Sequence, residues 1–547
     1  MATDFPDSAA MAATNNLFAA VDMGTNSFKL LIVLFDSSTG HFFTLDQRKE
    51  SVLLGLDTAQ VISPSSVDRA VAVLGKFQQV MHFYHISSSH VRVVATSAVR
   101  EASNQSDFTE TLRQTLDLHI DVLSGLDEAR LIYQGVLQFC SLVNFTVLTV
   151  DIGGGSTEFV IGNNGNVLHA ISLKLGHVTL TQTFIETEKM REHIRSALAS
   201  SGLVDKIKEY KIDKVVGSSG TIKAIEKAVC EYTINTREIE GVVEVNNRDW
   251  KFNEKELTEL VERLEVEGQE KREAFFKKRA KFIVAGAILL EEIFKGLGIE
   301  EMEVSGYALG EGVIKELIWQ VPERSHVLNT NERWMSVVRL AMRFNNKKRM
   351  RFASTCVWIA KEIFEGIRRW NELNNEIVMY FEEQDFEYLE AACLLHNIGL
   401  YAGKKGYHKK SYCMVMDFDL LQDYSSEEVK LIGLLVKHHR KKFPKGDHKS
   451  LGGFTEQVKL KFRMLCSILR LSVVTLQYQP ENIQNFKFST SDMDFKLVLD
   501  EARNHPQSLG SLQPLVGGHG AELEKELEHF GMVFQKKLSL LVSSSIT

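Results

Sequence analysis

Two stretches of this chain carry the same pattern. Residues 20–33 read AVDMGTNSFKLLIV, and residues 149–162 read TVDIGGGSTEFVIG. Each is an apolar strand ending near an aspartate, then a glycine turn with a serine five residues after that aspartate, then a second apolar run. In the second stretch Gly153, Gly154 and Gly155 permit a tight turn and close approach to a ligand. Successive amides in such a turn form a concave anion site, to which Ser156 and Thr157 add hydroxyl donors. Asp151 would repel a bare phosphate, so its presence implies a magnesium ion between them, with Glu158 helping to hold that ion through water. Gly24, Thr25, Asn26 and Ser27 occupy the matching places of the first corner. Two donor turns facing each other across a cleft would grip successive phosphates of a polyanion. Read singly, each stretch is also an ordinary β-hairpin with a type I′ or bulged turn; the matched spacing favours the clamp.

Around these corners, strands alternate with helices. Strand-like runs at 17–57 precede an amphipathic helix at 64–85, a strand HVRVVATSAV, a helix near 107–117 and a strand IDVLS. The pattern restarts at FTVLTVDIGGGSTEFVIG and runs on through NVLHAISLKLG, a helix at 188–200 and VVGSSGTIKAI at 215–225. The last of these reads as a strand, a turn through Ser219 and Gly220, and a helix from Thr221 whose N-terminus would face a ligand. This predicts an α/β chain with an internal duplication and a cleft between the halves. From about 330 to 480 only helical periodicity remains, and the final residues read as a small α+β appendage.

The six cysteines form no C-x-x-C pair, which points to reduced thiols rather than a disulfide frame or zinc ribbon. The net charge of −7 gives no global field for nucleic acid. The longest apolar run, FIVAGAILL, ends at Glu291 and Glu292 and is shorter than the ~20 residues a membrane span needs. With no secretory or mitochondrial leader pattern, a cytoplasmic protein with neither nucleic-acid nor membrane partners is expected.

These motifs together resemble the exopolyphosphatase / guanosine pentaphosphate phosphohydrolase (Ppx/GppA) family, in the actin, hexokinase and heat-shock ATPase superfamily. The resemblance runs through both corners, VRVVATSAVREASN at 91–104, SGLDEARLIYQGV at 124–136, LKLGHVTLTQTF at 173–184 and VGSSGTIKAI, and continues through RAKFIVAGAILLEEIF and VSGYALGEGVI. It implies two duplicated actin-like (ribonuclease H-like) lobes at 18–145 and 146–325. An all-helical HD-like domain with a degenerate metal motif would follow at 326–480, and a small α+β domain at 481–547. It also implies Mg²⁺-dependent hydrolysis of terminal phosphoanhydrides. Glu128 would be the general base, Asp22, Asp151, Gly153 and Glu158 the metal-associated residues, and Arg100 a phosphate contact. Gly24, Thr25, Asn26, Ser27, Gly154, Gly155, Ser156, Ser219, Gly220 and Thr221 complete the phosphate-binding set. From the residues alone, Glu128 also reads as a solvated carboxylate at a helix start beside Asp127, and Arg100 as a surface partner of Glu101.

Two departures touch substrate choice. SVLLGLD lacks the arginine common in relatives, and Gly310 stands where many members carry another. In the helical part, LLHNIGL has His396 followed by Asn397 where an HD hydrolase has His-Asp, and asparagine is a poor transition-metal ligand. A degenerate core histidine is the reading this supports. The basic stretches GKKGYHKK at 403–410 and 437–449 read either as solvated helix ends or as a positive track for polyphosphate. The expected substrate is inorganic polyphosphate or a nucleotide polyphosphate, and a homodimer through the helical domain is expected from relatives. A non-hydrolytic sensor of the same ligands is the competing function, and a kinase or ATPase of the superfamily is a third.

Overall fold

The computed structural model describes residues 16–54, 60–142, 144–235, 250–320, 331–374, 381–417, 420–444, 449–478, 483–490, 494–501 and 520–543. The expected domain boundaries at 325 and 480, and Gly55–Asp57 of the SVLLGLD run, lie outside them. The chain forms two compact units, one from Leu17–Phe42 and Asp46–Thr330, the other principally from Asn331–Thr547.

The first unit contains two sheets. Strands β1 (Leu17–Met23), β2 (Ser27–Phe35), β3 (Phe42–Ser51), β4 (Val91–Ala95) and β5 (Ile120–Val122) take the order β3-β2-β1-β4-β5. Strands β6 (Thr146–Ile152), β7 (Thr157–Asn163), β8 (Asn166–Leu173), β9 (Lys214–Ser218), β10 (Lys251–Asn253) and β11 (Glu301–Val304) take the order β10-β11-β9-β6-β7-β8. In each sheet an antiparallel hairpin, β1–β2 or β6–β7, is followed by a parallel neighbour, β4 or β9, on the other side of its first strand. Strands β1 and β6 are therefore interior, and every residue of β1 is buried. That explains their unbroken apolar runs, since a strand covered on both faces loses the polar alternation. Asp22 and Asp151 end these runs at the carboxyl ends of the parallel strands, the edge where open α/β sheets place ligands.

Helices α1 (Gly125–Val136), α2 (His177–Thr183), α3 (Thr187–Ser200), α4 (Ser219–Asn235), α5 (Ile283–Leu297) and α6 (Leu309–Trp319) cover the sheets. The apolar run that opens α5 is core: its Ile283, Ala287, Leu289, Leu290 and Phe294 are buried with Leu148, Val150 and Ile222. Glu291 and Glu292 are buried too, neutralised by Arg191 and Arg195 of α3, with Arg195 Nε 2.7 Å from Glu292. Among the described residues no helix is long and apolar enough to cross a membrane.

In the second unit, the described residues between 331 and 478 form helices and no strand, as the periodicity predicts. Helix α7 (Lys347–Asn374) packs on α8 (Glu383–Leu395) and α9 (Glu456–Tyr478), and α9 packs on α10 (Gly520–Phe534). Strands β12 (Ile483–Thr490), β13 (Asp494–Glu501) and β14 (Lys537–Ser543) form a three-stranded sheet in the same unit. Arg470 of α9, 2% exposed, pairs with Glu526 of α10 and donates to the carbonyls of His438 and Lys441 at 2.7 and 2.8 Å. His396 is buried with His439, their rings 5.0 Å apart, and Asn397 is held by Asn345 at 2.9 Å.

Candidate active site

Both corners form at the tips of their hairpins, and their backbones are set the same way. Gly153 N donates to Ser156 O at 2.9 Å and closes the second turn. The carbonyls of this turn are then tied back by the start of α2: His177 N reaches Gly153 O at 3.2 Å, and Val178 N reaches Gly154 O at 3.0 Å. In the first corner the carbonyls of Thr25 and Asn26 are tied back by Leu54 N at 3.0 Å and by Val52 N and Leu53 N at 3.2 Å. In a trans peptide the N–H points opposite to the C=O. Holding these carbonyls back therefore turns the amides of Asn26, Ser27, Gly154 and Gly155 the other way. None of these corner residues has a positive φ. The left-handed type I′ geometry considered for the hairpins is thus not adopted.

Glycine serves here for proximity. A Cβ on Gly155 would lie 2.6 Å from Ser97 Oγ and 3.1 Å from Thr25 Oγ1, and one on Gly154 would lie 3.0 Å from Thr25 Cβ. The two corners face each other and meet at this line. Behind them, a Cβ on Gly176 would sit 2.1 Å from Gly154 O, so α2 can dock on the turn only through glycine.

Cross-strand register sets the charges. Asp151 lies opposite Glu158 on β7 and beside Ser218 on β9, whose hydroxyl donates to it. Asp22 lies opposite Lys29, and the two pair at 2.7 Å. The corners thus match in backbone but differ in charge, with Asp22 paired to a lysine and Asp151 to a hydroxyl.

Glu128 sits in the first turn of α1. Ser124 caps that helix by accepting from Asp127 N at 3.1 Å, and it donates to Asp127 Oδ2 at 2.6 Å. Asp127 takes the exposed role at the helix start, and Glu128 turns inward, 7% exposed, where Arg100 Nη1 reaches it at 2.8 Å. Arg100 lies farther from Glu101, at 3.7 Å. Burial pushes the Glu128 carboxyl up to about 7; Arg100 opposes the shift, and Asp22 and Asp151 add to it. Burial also raises Asp151, against the Ser218 hydroxyl and Lys29, and raises Glu158 well above the usual range, with Glu128 and Asp151 contributing. Ser172 Oγ donates to Glu158 at 2.8 Å.

At the third turn the Ser219 hydroxyl has local partners. Ser219, at φ 88°, uses its hydroxyl to accept from the amides of Thr221 and Ile222, both at 3.2 Å, so that side chain caps α4. Gly220 is overlaid by Arg279: a Cβ there would lie 2.4 Å from Nη2. Arg279, Lys29, Lys223 and His177 belong to the site and were not singled out from the sequence. Burial alone lowers the Arg279 guanidinium, and burial lowers Lys223 to about 8 although Glu311 opposes it. The Lys223 amine donates to the Gly306 carbonyl. Lys29 was legible, because a hairpin turning at Gly24–Asn26 pairs it with Asp22.

Among the described residues no three His, Cys, Asp or Glu side chains converge at metal-binding distance. The six cysteines are free thiols, four of them buried.

Comparison with known proteins places this site in context. A family model described as the Ppx/GppA phosphatase family matches residues 33–320, and one for domain III of the Ppx/GppA phosphatases matches 333–511. A guanosine-5'-triphosphate,3'-diphosphate pyrophosphatase of Pseudoalteromonas translucida is 28% identical over 514 residues, covering 91% of this chain and 95% of that protein. The enzyme so named from Pseudoalteromonas atlantica is 26% identical over 502 residues, covering 90% and 93%. The crystal structure of an exopolyphosphatase from Cytophaga hutchinsonii superposes with a TM-score of 0.50 at 27% identity, covering 56% of this chain and 99% of that one.

Proposed function

The chain belongs to the Ppx/GppA phosphatase family, and from that premise we propose that it is a phosphoanhydride hydrolase removing terminal phosphate from inorganic polyphosphate or a guanosine pentaphosphate-type nucleotide. The observation that carries this reading is a buried carboxyl, Glu128, with its pKa at about 7, in a unit whose two amide-bearing corners meet face to face. A base poised near the working pH takes a proton from water most effectively.

In this reading the terminal phosphate lies against the amides of Asn26, Ser27, Gly154 and Gly155. These donors are fixed beforehand by the tied-back carbonyls, so they stabilise developing charge without reorganising. Arg100 is 18% exposed in its side chain, and by turning from Glu128 to a phosphate oxygen it would free the carboxylate to accept the water's proton. Arg279, laid over Gly220, adds positive charge beside the third turn.

Magnesium fits this donor set as a shared ion rather than a caged one. Glu128, Asp151 and Glu158 are buried, which raises all three, and Asp151 adds to the rise of both glutamates, a cost that a divalent cation relieves. Mg²⁺ commonly takes one or two carboxylates and completes its shell with water and phosphate oxygens. Asp151, with Glu158 through water, would hold it, and bound there it would offset charge on the phosphate oxygens.

The matched strand orders and matched carbonyl tie-backs support reading the first unit as two duplicated actin-like lobes. The His396–Asn397 pair supports an HD-like helical domain without a working metal motif.

The Arg100–Glu128 ion pair is also the observation that favours a non-hydrolytic sensor, because it occupies the base. Phosphate release from polyphosphate and from guanosine pentaphosphate separates the two readings. Glu128→Gln is expected to slow release by about 10²–10⁴-fold, the usual worth of a general base. Tight binding with no release by the wild-type chain would establish the sensor instead.

A further inference from the structure

One imidazole joins three parts of this site that are distant in the chain. His177 Nδ1 lies 2.7 Å from the Gly153 carbonyl oxygen and 3.3 Å from Thr221 Oγ1. Its ring stands edge-on to Phe282, with centroids 6.1 Å apart. Gly286 of α5 makes room for the cluster: a Cβ there would lie 2.6 Å from Thr221 Cγ2 and 3.5 Å from His177 Cβ. A carbonyl oxygen can only accept, so Nδ1 carries the hydrogen and the tautomer is fixed. The second corner and the start of α4 therefore meet at a single donor, and the start of α5 packs on its ring.

We propose that His177 is a positioning residue for phosphate transfer: its Nδ1–H sets the tilt of the Gly153–Gly154 peptide, and so the aim of the Gly154 amide, and couples that corner to the Thr221 turn. This inference rests on the hydrolytic reading above. Its logic is one of aim rather than folding. The backbone amide of His177 also reaches Gly153 O, at 3.2 Å, so removing the ring leaves the turn tethered. What is lost is the second constraint on the peptide plane. A donor aimed slightly wide still meets a ground-state phosphate but serves the transition state less well, so the loss falls on kcat.

The test measures kcat and KM for phosphate release from tripolyphosphate, with thermal unfolding alongside, for the full chain and three variants. Asparagine places its amide nitrogen near the position of Nδ1, whereas glutamine places its own near Nε2. His177→Ala and His177→Gln are expected to lower kcat by about 10–100-fold with KM changed by less than about threefold, as for a small misplacement at a reacting centre. His177→Asn is expected to keep kcat within about threefold of wild type, because it restores the donor. Wild-type kcat in the alanine variant, or a glutamine variant as active as the asparagine one, would overturn the inference. So would a loss confined to KM, or one matched across all three variants by lowered unfolding temperature. A wild-type chain that releases no phosphate overturns the hydrolytic reading and this inference with it. An active wild type with indifferent His177 variants overturns only the inference.

Discussion

At the scale of single residues, the unusual group is a carboxyl held near neutrality beside an arginine. Glu128 loses a proton only as pH passes about 7, so kcat/KM is expected to fall about tenfold per unit below that point and to level off above it. Arg100 opposes the upward shift, so Arg100→Ala moves this limb to higher pH as well as weakening substrate binding, and a pH profile of both enzymes reads the displacement. The same group has a stability signature of known sign. Between about 4.5 and 7 the folded chain holds a proton that the unfolded chain has released, so this residue lowers stability as pH rises through that window. Part of this chemistry was visible in the residues. The Asp-Gly-Ser spacing located both corners, and hairpin symmetry pairs Asp22 with Lys29. Glu128 was not separable from Asp127 by residue type or position, and only the family resemblance chose it. The structure supplies the reason: Ser124 engages Asp127 as a cap and leaves the next residue to face inward.

At the scale of elements, the corners depend on segments that follow the third strand of each sheet. Residues 52–54 and 177–179 hold the carbonyls, and this nonlocal pairing has no period or motif of its own. Strand-like residues accordingly run to Gly176 in the sequence, and no helical period marks the seven residues of α2. Arg279 was hidden for a similar reason: it reaches Gly220 across a long interval of chain, and nothing local to either residue announces the contact. Gly155→Ala is expected to leave folding intact and to cut kcat/KM about 10²-fold, since its methyl would meet Ser97 Oγ at 2.6 Å and push the corners apart. Steady-state kinetics with a circular-dichroism melt checks both halves of that statement. In the second unit, Arg470→Met leaves Glu526 buried with only the His529 imidazole, 3.2 Å away, in place of the guanidinium. A loss of about 3–5 kcal/mol is expected, read by denaturant unfolding.

At the scale of the whole molecule, the notable feature is charge segregation. A chain of net charge −7 exposes Lys404, Lys405 and Lys409 within one short stretch of its helical unit, where Lys409, Lys441, Lys437 and Arg440 help lower the His408 imidazole, after burial. Replacing Lys404, Lys405, Lys409 and Lys410 with serine is expected to weaken binding of long polyphosphate about tenfold at low salt and to spare tripolyphosphate. Unchanged affinity for the long chain would assign these lysines to solvation alone. The division into an α/β part and a helical part followed from periodicity, because helix and strand repeats differ over many residues. Which lysines cluster in space is settled only by folding.

The line where Gly154 and Gly155 touch Thr25 and Ser97 also has a mechanical meaning. With only hydrogen atoms at those two positions, the halves of the first unit are already in van der Waals contact there, and neither can advance. Movement of one sheet toward the other is therefore stopped along that seam, and a side chain larger than hydrogen at either glycine would stop it sooner.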